Sequence, residues 1–227
     1  ASNGASSVKF KYCCMNVYIK KFNEINIADI AAVGGKNSSL GEMFSNLSSR
    51  GIPVPDGFAT TAFAFEEFLT ANSLQPQLYG LMQELDRTTY SNLKQLGGKA
   101  RKLLLSADLP KALQMAIIHA YKELCGASYF EVAVRSSATA EDLPQASFAG
   151  QHESYLNIKG EDALLQAIKK CYASLYTDRA IKYREDNGFA HVFAMNGGTL
   201  RITHIDGHTG GPHPVLGWVV ENARADA

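Results

Sequence analysis

A pair of glycines followed by a lysine is the first feature whose residue types suit chemistry. Gly34, Gly35 and Lys36 lie at the predicted junction between a loop and a helix. The first turn of a helix presents backbone N–H groups and the positive end of the helix dipole, and both attract anions. The lysine adds a flexible point charge suited to phosphate oxygens. The pattern therefore indicates a phosphate site, and the alternative is a glycine turn beside a solvated lysine.

This junction differs from a P-loop. A P-loop would need a glycine at position 30 and a serine or threonine at position 37, and the chain has Ile30 and Asn37 there. Phosphate binding by Lys36 would therefore require another geometry.

A second basic residue follows a short apolar segment, residues 130–134. Strand ends are common ligand positions in sheets, and Arg135 carries a planar guanidinium that binds two phosphate oxygens at once. A run of small residues further on could fold its backbone amides over an anion. The residues of this run predicted to bind nucleotide are Ser147, Phe148, Ala149 and Gly150. The alternative for Arg135 is a structural ion pair with Glu141 or Asp142.

The ligands of any metal ion stay open from the sequence. Glu141 and Asp142 could reach a divalent cation, although an acidic pair in a loop is more often solvated. The histidines at positions 204, 208 and 213 lie among glycines, without a helical context that would fix His204 and His208 on one face. A flexible tail is the better prediction for that segment. The four cysteines form no CxxC motif, which favours free thiols in a reducing compartment.

Composition narrows the possible function classes. The chain has 227 residues, with 22 basic and 22 acidic side chains and a formal net charge of zero. A general nucleic-acid or anionic-membrane binder would need a cationic face, so neither partner is expected. The hydrophobic fraction of 46% fits a folded chain. No apolar run approaches the roughly 18 residues that span a bilayer, so a membrane protein is not expected. The free thiols and the lack of a secretory signal pattern predict a cytoplasmic protein.

Periodicity predicts helices and short strands. Apolar residues at helical spacing predict a helix after the glycine pair, with Ser39 and Glu42 as a capping box. Thr61 is predicted to cap a second helix. Further helices are predicted over about 91–105, 110–124, 161–174 and 178–185, and strands over 130–134 and 153–158. The expected fold class is α+β, with a small sheet flanked by helices and both phosphate loops at one edge.

Three separated segments resemble one protein family. They are NEINIADIAAVGGKNSSLGEMFSNLSSRGIPVPDGFATTAFAFEEFL, VAVRSSATAEDLPQASFAGQHESYLNI and AIKKCYASLYTDRAIKYREDNGFAH, and they run from about residue 23 to residue 191. They are similar to the nucleotide-binding N-terminal region of the dikinase family. That family includes phosphoenolpyruvate synthase (pyruvate, water dikinase), pyruvate phosphate dikinase, glucan water dikinase and rifampicin phosphotransferase.

The resemblance implies a fold, a ligand and a reaction. The region would be the first part of an ATP-grasp-like domain, in which Lys36 and Arg135 contact ATP phosphates and residues 147–150 cover them. In the whole family enzyme, Mg²⁺ is required, and ATP phosphorylates a carrier histidine on a mobile domain. The phosphohistidine then phosphorylates pyruvate in a barrel domain, giving phosphoenolpyruvate, AMP and phosphate. This reaction belongs to pyruvate metabolism and gluconeogenesis.

The chain departs from the family pattern at both ends. Residues 1–22 are expected to be an N-terminal extension and start, with Met15 as the natural first residue. Residues 23–191 would form the first part of the ATP-binding domain, and residues 192–227 an atypical tail. The carrier-histidine motif and the pyruvate barrel have no counterpart in this sequence. A truncated chain with an unrelated tail is the hypothesis, and the chain alone is not expected to catalyse the full reaction.

Three functions therefore stay open from the sequence. The first is the ATP-binding portion of a phosphoenolpyruvate synthase, and the second is the same region of a related dikinase or rifampicin phosphotransferase. The third is a non-catalytic module that holds ATP weakly or not at all. The partners implied are ATP and the carrier-histidine and pyruvate-binding domains of a full-length enzyme.

Overall fold

The computed structural model describes residues 18–138, 142–143, 146–147, 153–188, 194–196, 199–201 and 216–222. Strands in these residues are β1 (Ile19–Lys21), β2 (Gly57–Thr60), β3 (Val132–Ala138), β4 (Asp142–Leu143), β5 (Ala146–Ser147), β6 (Ser154–Ile158), β7 (Ala194–Asn196), β8 (Thr199–Arg201) and β9 (Leu216–Asn222). The α-helices are α1 (Ile30–Val33), α2 (Gly35–Leu47), α3 (Ala62–Ala71), α4 (Leu74–Gln83), α5 (Leu93–Ser106), α6 (Lys111–Cys125), α7 (Glu161–Ser174) and α8 (Asp178–Asp186).

One five-stranded sheet organises the molecule. Its strand order is β1-β2-β9-β3-β6, and every neighbouring pair is antiparallel. The strands β4 and β5 form one separate two-stranded pair, and β7 and β8 form another. An antiparallel sheet together with separate helices confirms the α+β prediction. The strand β9 comes from the C-terminal segment and lies between β2 and β3, so that segment pairs directly with the body of the protein. The domain boundary predicted at residue 191 stays a prediction.

Hydrophobic side chains cover both faces of this sheet. Because successive side chains of a strand point to opposite faces, Phe58 and Ala59 of β2 enter two different clusters. Phe58 belongs to the large core together with Val132 and Val134 of β3. Helices α3 to α7 cover this core. Ala59 packs with Phe22, Ile25 and Val33 in a smaller cluster that Leu40 and Phe44 of α2 complete. Helix α2 therefore lies on the face opposite the main core.

Helix α2 begins earlier than the capping-box prediction placed it. The structure starts the helix at Gly35 and assigns Gly34 as its N-cap, without a capping side chain. The prediction that Ser39 caps the helix is therefore wrong, and Ser39 lies one turn inside. Strand β2 and helix α4 had no clear periodic signal and were not predicted. The helices predicted near 91–105, 110–124, 161–174 and 178–185 are present within a few residues of those bounds.

The predicted cap at Thr61 is confirmed. Thr61 has extended backbone angles, and its Oγ1 accepts a hydrogen bond of 3.3 Å from the backbone N–H of Ala64. We expect Thr61→Ala to lower the free energy of unfolding by about 1 kcal/mol, because the first turn of α3 loses its acceptor. Urea denaturation followed by circular dichroism measures the change. Thr70→Ala, an exposed position inside α3, is the control and should change stability by less than about 0.5 kcal/mol.

Candidate functional site

Gly34 is the single residue between helices α1 and α2, and Gly35 is the first residue of α2. The backbone N–H of Gly34 donates to the carbonyl of Ile30 (2.8 Å) at the end of α1, and the Gly34 carbonyl accepts from the N–H of Ser38 (3.1 Å) at the start of α2. The backbone angles of Gly34 are φ 84° and ψ 163°. Only glycine adopts this region without strain. The first glycine of the motif is therefore required by the backbone of this junction.

Gly34 also lies directly against strand β3. A Cβ atom placed on Gly34 would be 2.5 Å from the carbonyl oxygen and 2.7 Å from the carbonyl carbon of Ser137. These separations are far below any normal van der Waals contact. The absence of a side chain at Gly34 therefore allows the helix junction to touch the backbone of β3 at Ser137, 103 positions away in sequence.

A hydrogen bond joins the same two segments. The backbone N–H of Asn37 donates to the Ser137 Oγ over 3.2 Å, and both residues are fully buried. The side-chain amide of Asn37 donates to the carbonyl of Val33 (2.6 Å). Asn37 therefore fixes the junction from within, which accounts for an amide where a P-loop would carry a hydroxyl. The Oδ1 of Asn37 and the Oγ of Ser38 are buried without a hydrogen-bond partner among the described residues.

The two predicted basic residues flank this contact. Lys36 follows Gly34 by two residues, and Arg135 precedes Ser137 by two, so each Cα lies within about 7 Å of the contact residue in its own segment. Alternation along β3 puts Arg135 and Ser137 on the same face of the sheet, which is the face that α2 covers. Both basic residues are exposed. The structure thus brings the GGK motif (residues 34–36) and the VRSS motif (residues 134–137) together. The phosphate-binding roles of Lys36 and Arg135 stay predictions.

The small-residue run is described only in part. Leu143 and Ala146 pair across the short β4–β5 ladder, as do Asp142 and Ser147. Of the predicted nucleotide contacts, Ser147 therefore lies at the end of β5, and Phe148, Ala149 and Gly150 lie outside the described residues. The prediction that this run covers phosphates stays a prediction.

Metal binding finds no support among the residues that the structure describes. They contain no group of three or more histidine, cysteine, aspartate or glutamate side chains able to hold an ion. Glu141 lies outside the described residues, and only the backbone of Asp142 is described. We therefore assign no side chain of this chain to magnesium.

The opposite side of β3 faces the thiol of Cys171. The Cys171 thiol of α7 lies 3.9 Å from the carbonyl oxygen of Val134 and is buried. Burial raises the pKa of the Cys171 thiol well above its ordinary value, so the sulfur stays protonated and is a poor nucleophile. Cys171 therefore contributes packing against β3 and is not a candidate for covalent chemistry.

Sequence reasoning missed the role of Ser137. It identified the hydroxyl-rich segment after Arg135 but did not connect any hydroxyl with the glycine pair. The available signal was the N-cap position itself, because a glycine there cannot accept a hydrogen bond and leaves the first-turn amides to other acceptors. Nothing in the local sequence says which distant residue supplies that acceptor.

Comparison with known proteins gives the family. The family model described as "Pyruvate phosphate dikinase, AMP/ATP-binding domain" matches residues 30–202. Phosphoenolpyruvate synthase of Synechocystis sp. is 46% identical over 198 residues, covering 84% of this chain and 24% of that protein. The enzymes of the same name from Pseudomonas aeruginosa and Escherichia coli are 43% and 44% identical, over 86% and 82% of this chain.

The match extends over only part of the relatives. The chain spans about a quarter of the length of these curated relatives, with 24% of the Escherichia coli enzyme and 25% of the Pseudomonas aeruginosa enzyme covered. In the part of the chain that the structure describes, no helix is both long enough and apolar enough to cross a bilayer.

Proposed function

Because this chain belongs to the pyruvate phosphate dikinase AMP/ATP-binding domain family, we propose that it binds ATP at the junction of α1, α2 and β3. Lys36 and Arg135 hold the phosphates, and the ligand lies along the exposed side of the Gly34–Ser137 contact. The fold of the site is that of an ATP-grasp-like first half. The single observation that carries the proposal is the contact of Gly34 with Ser137, because it ties together the two segments that bear the basic side chains.

The chemistry of the two side chains matches a polyphosphate. Lys36 offers a mobile point charge at the start of a helix, and Arg135 offers a rigid fork. Phosphoryl transfer depends mainly on positioning and on neutralising negative charge, and both groups serve these needs. The proposal also includes residues 147–150, whose backbone amides cover the phosphates. Magnesium, which reaches the site with ATP, would add charge neutralisation when bound.

The reaction belongs to the larger enzyme. We propose that the ATP-binding region serves a phosphoenolpyruvate synthase, in which ATP phosphorylates a carrier histidine and then pyruvate. The names of the relatives support pyruvate as the acceptor over rifampicin or glucan. The carrier-histidine and pyruvate-binding domains are the partners of this region. The free thiols of Cys125 and Cys171 suit a reducing compartment such as the cytoplasm.

Isothermal titration calorimetry of this 227-residue chain with Mg-ATP tests the binding. We expect a single site, and we expect Lys36→Ala and Arg135→Ala each to weaken the affinity at least about tenfold. A hydrogen bond to a charged group contributes about 1.5–3 kcal/mol, which corresponds to that loss or more.

Two basic residues away from the site are matched controls. Arg50 is exposed beyond the C-terminal end of α2, about 20 Å from the helix start. Lys99 is exposed on α5, which packs against α4, α7 and α8 on the opposite side of the sheet. Arg50→Ala and Lys99→Ala should bind ATP within twofold of the wild type. No heat at millimolar Mg-ATP, or equal losses in all four variants, would contradict the proposal.

A further inference from the structure

The amide of Asn37 needs an acceptor that helix α2 cannot supply. Counting from the N-cap Gly34, Asn37 is the third residue of the helix, and an N–H at this position has no partner within the helix. The usual acceptor is the side chain of the N-cap residue. A glycine has none. The Ser137 Oγ accepts this hydrogen bond instead, over 3.2 Å.

The same serine fixes the distance between the two motifs. Gly34 touches the carbonyl of Ser137, and Asn37 donates to its side chain, so Ser137 holds the helix start at two points one turn apart. Lys36 lies between these two points in sequence. Arg135 lies on the same strand and the same face as Ser137. Any displacement of the helix start from β3 therefore changes the separation of Lys36 from Arg135.

We propose that Ser137 is a positioning residue, a helix cap supplied by a distant strand, which holds Lys36 at a fixed separation from Arg135. This inference rests on the proposed function as far as the ligand is concerned, and on the structure alone as far as the cap is concerned. Ser137 is fully buried, so it acts through the helix start without touching ATP. Its loss lowers ATP affinity because the two cationic groups no longer bind one polyphosphate together.

A neighbouring serine provides the matched control. Ser136 is on the same strand and almost as buried, with 2% of its surface exposed. Alternation along β3 turns its side chain to the opposite face, together with Val134. Ser136→Ala and Ser137→Ala therefore each remove one hydroxyl group from a buried position of the same strand. Only the hydroxyl of Ser137 caps α2. Ser137→Cys is the second variant, because it keeps the volume of the side chain and replaces a good acceptor by a weak one.

The first measurement does not involve ATP. Amide hydrogen exchange of the full 227-residue chain, read by NMR at Asn37, should accelerate about tenfold in Ser137→Ala and less in Ser137→Cys. In Ser136→Ala the rate should stay within twofold of the wild type. An unchanged Asn37 exchange rate in Ser137→Ala would overturn the cap.

The second measurement is a double-mutant cycle on Mg-ATP affinity. Ser137→Ala should weaken binding about tenfold, and Lys36→Ala should then cost less than about threefold instead of tenfold, because the two residues act as one unit. In the Ser136→Ala background, the full tenfold effect of Lys36→Ala should remain. Equal losses in Ser136→Ala and Ser137→Ala, or additive losses with Lys36→Ala, would overturn the positioning role. If the wild-type chain itself does not bind ATP, the proposed function fails. The exchange rate of the Asn37 amide then tests by itself whether Ser137 caps α2.

Discussion

Gly34→Ala is expected to be the most damaging single-methyl substitution at the candidate site, with a loss of about 2–6 kcal/mol in the free energy of unfolding. Two costs add. An alanine in the backbone region of Gly34 (φ 84°, ψ 163°) is strained by about 1–3 kcal/mol. The new Cβ would also lie 2.5 Å from the carbonyl oxygen of Ser137, so strand and helix must separate. Overpacking of this kind costs a further 1–3 kcal/mol or so.

Gly160→Ala separates these two costs. Gly160 is the N-cap of α7 and has nearly the same backbone angles, φ 92° and ψ 160°. A Cβ atom there would meet nothing within 4 Å. The control should therefore lose only the strain, about 1–3 kcal/mol. Urea denaturation of both variants gives the difference, which we attribute to the contact with Ser137. Equal losses at the two glycines would mean that Gly34 does not touch β3.

The comparison of these glycines shows what the sequence could predict. Both residues precede a helix, and the sequence alone does not distinguish them. Periodicity located the helices that follow them, because a helix leaves an apolar stripe at short sequence spacing. The contact with Ser137 joins residues about one hundred positions apart, so no local sequence pattern predicts it. A small sheet was predicted, but its strand order could not be, because β9 pairs with β2 and β3 across long stretches of chain.

The sequence predicts phosphate chemistry at the candidate site, which stays a prediction, and it does not predict the geometry of the site. Lys36 and Arg135 could be selected because lysine and arginine beside glycines and hydroxyls suit phosphates. The contact between the segments that carry them could not be derived from spacing, since it depends on α2 packing across the face of β3. The predicted start of α2 was wrong for a related reason. Ser39 and Glu42 have the spacing of a capping box, but Ser137 already caps the helix about one turn earlier.

The second large effect is expected at Gly41, in the middle of α2. Its Cβ would lie 2.6 Å from both the Cβ and the carbonyl oxygen of Ile25, which is itself buried. Because a backbone atom is among these contacts, no rotamer change of Ile25 can relieve the overlap. Gly41→Ala gains about 1 kcal/mol in helix propensity but forces α2 away from the segment before it. We expect a net loss of about 2 kcal/mol and, for a chain of this size, a Tm lower by about 4–8 °C.

Gly80→Ala adds the same methyl group at a helix position that has space for it. Gly80 lies inside α4, and a Cβ atom would meet nothing within 4 Å. We therefore expect Gly80→Ala to raise the Tm by about 2–4 °C, so that one substitution type has opposite signs in two helices. The displacement of α2 should also reach Lys36. Gly41→Ala is therefore expected to weaken Mg-ATP binding at temperatures where it is still fully folded, and Gly80→Ala should leave it unchanged. A Gly41→Ala variant as stable as Gly80→Ala would show that α2 does not pack against Ile25 this closely, and the position of the GGK motif over β3 would lose its support.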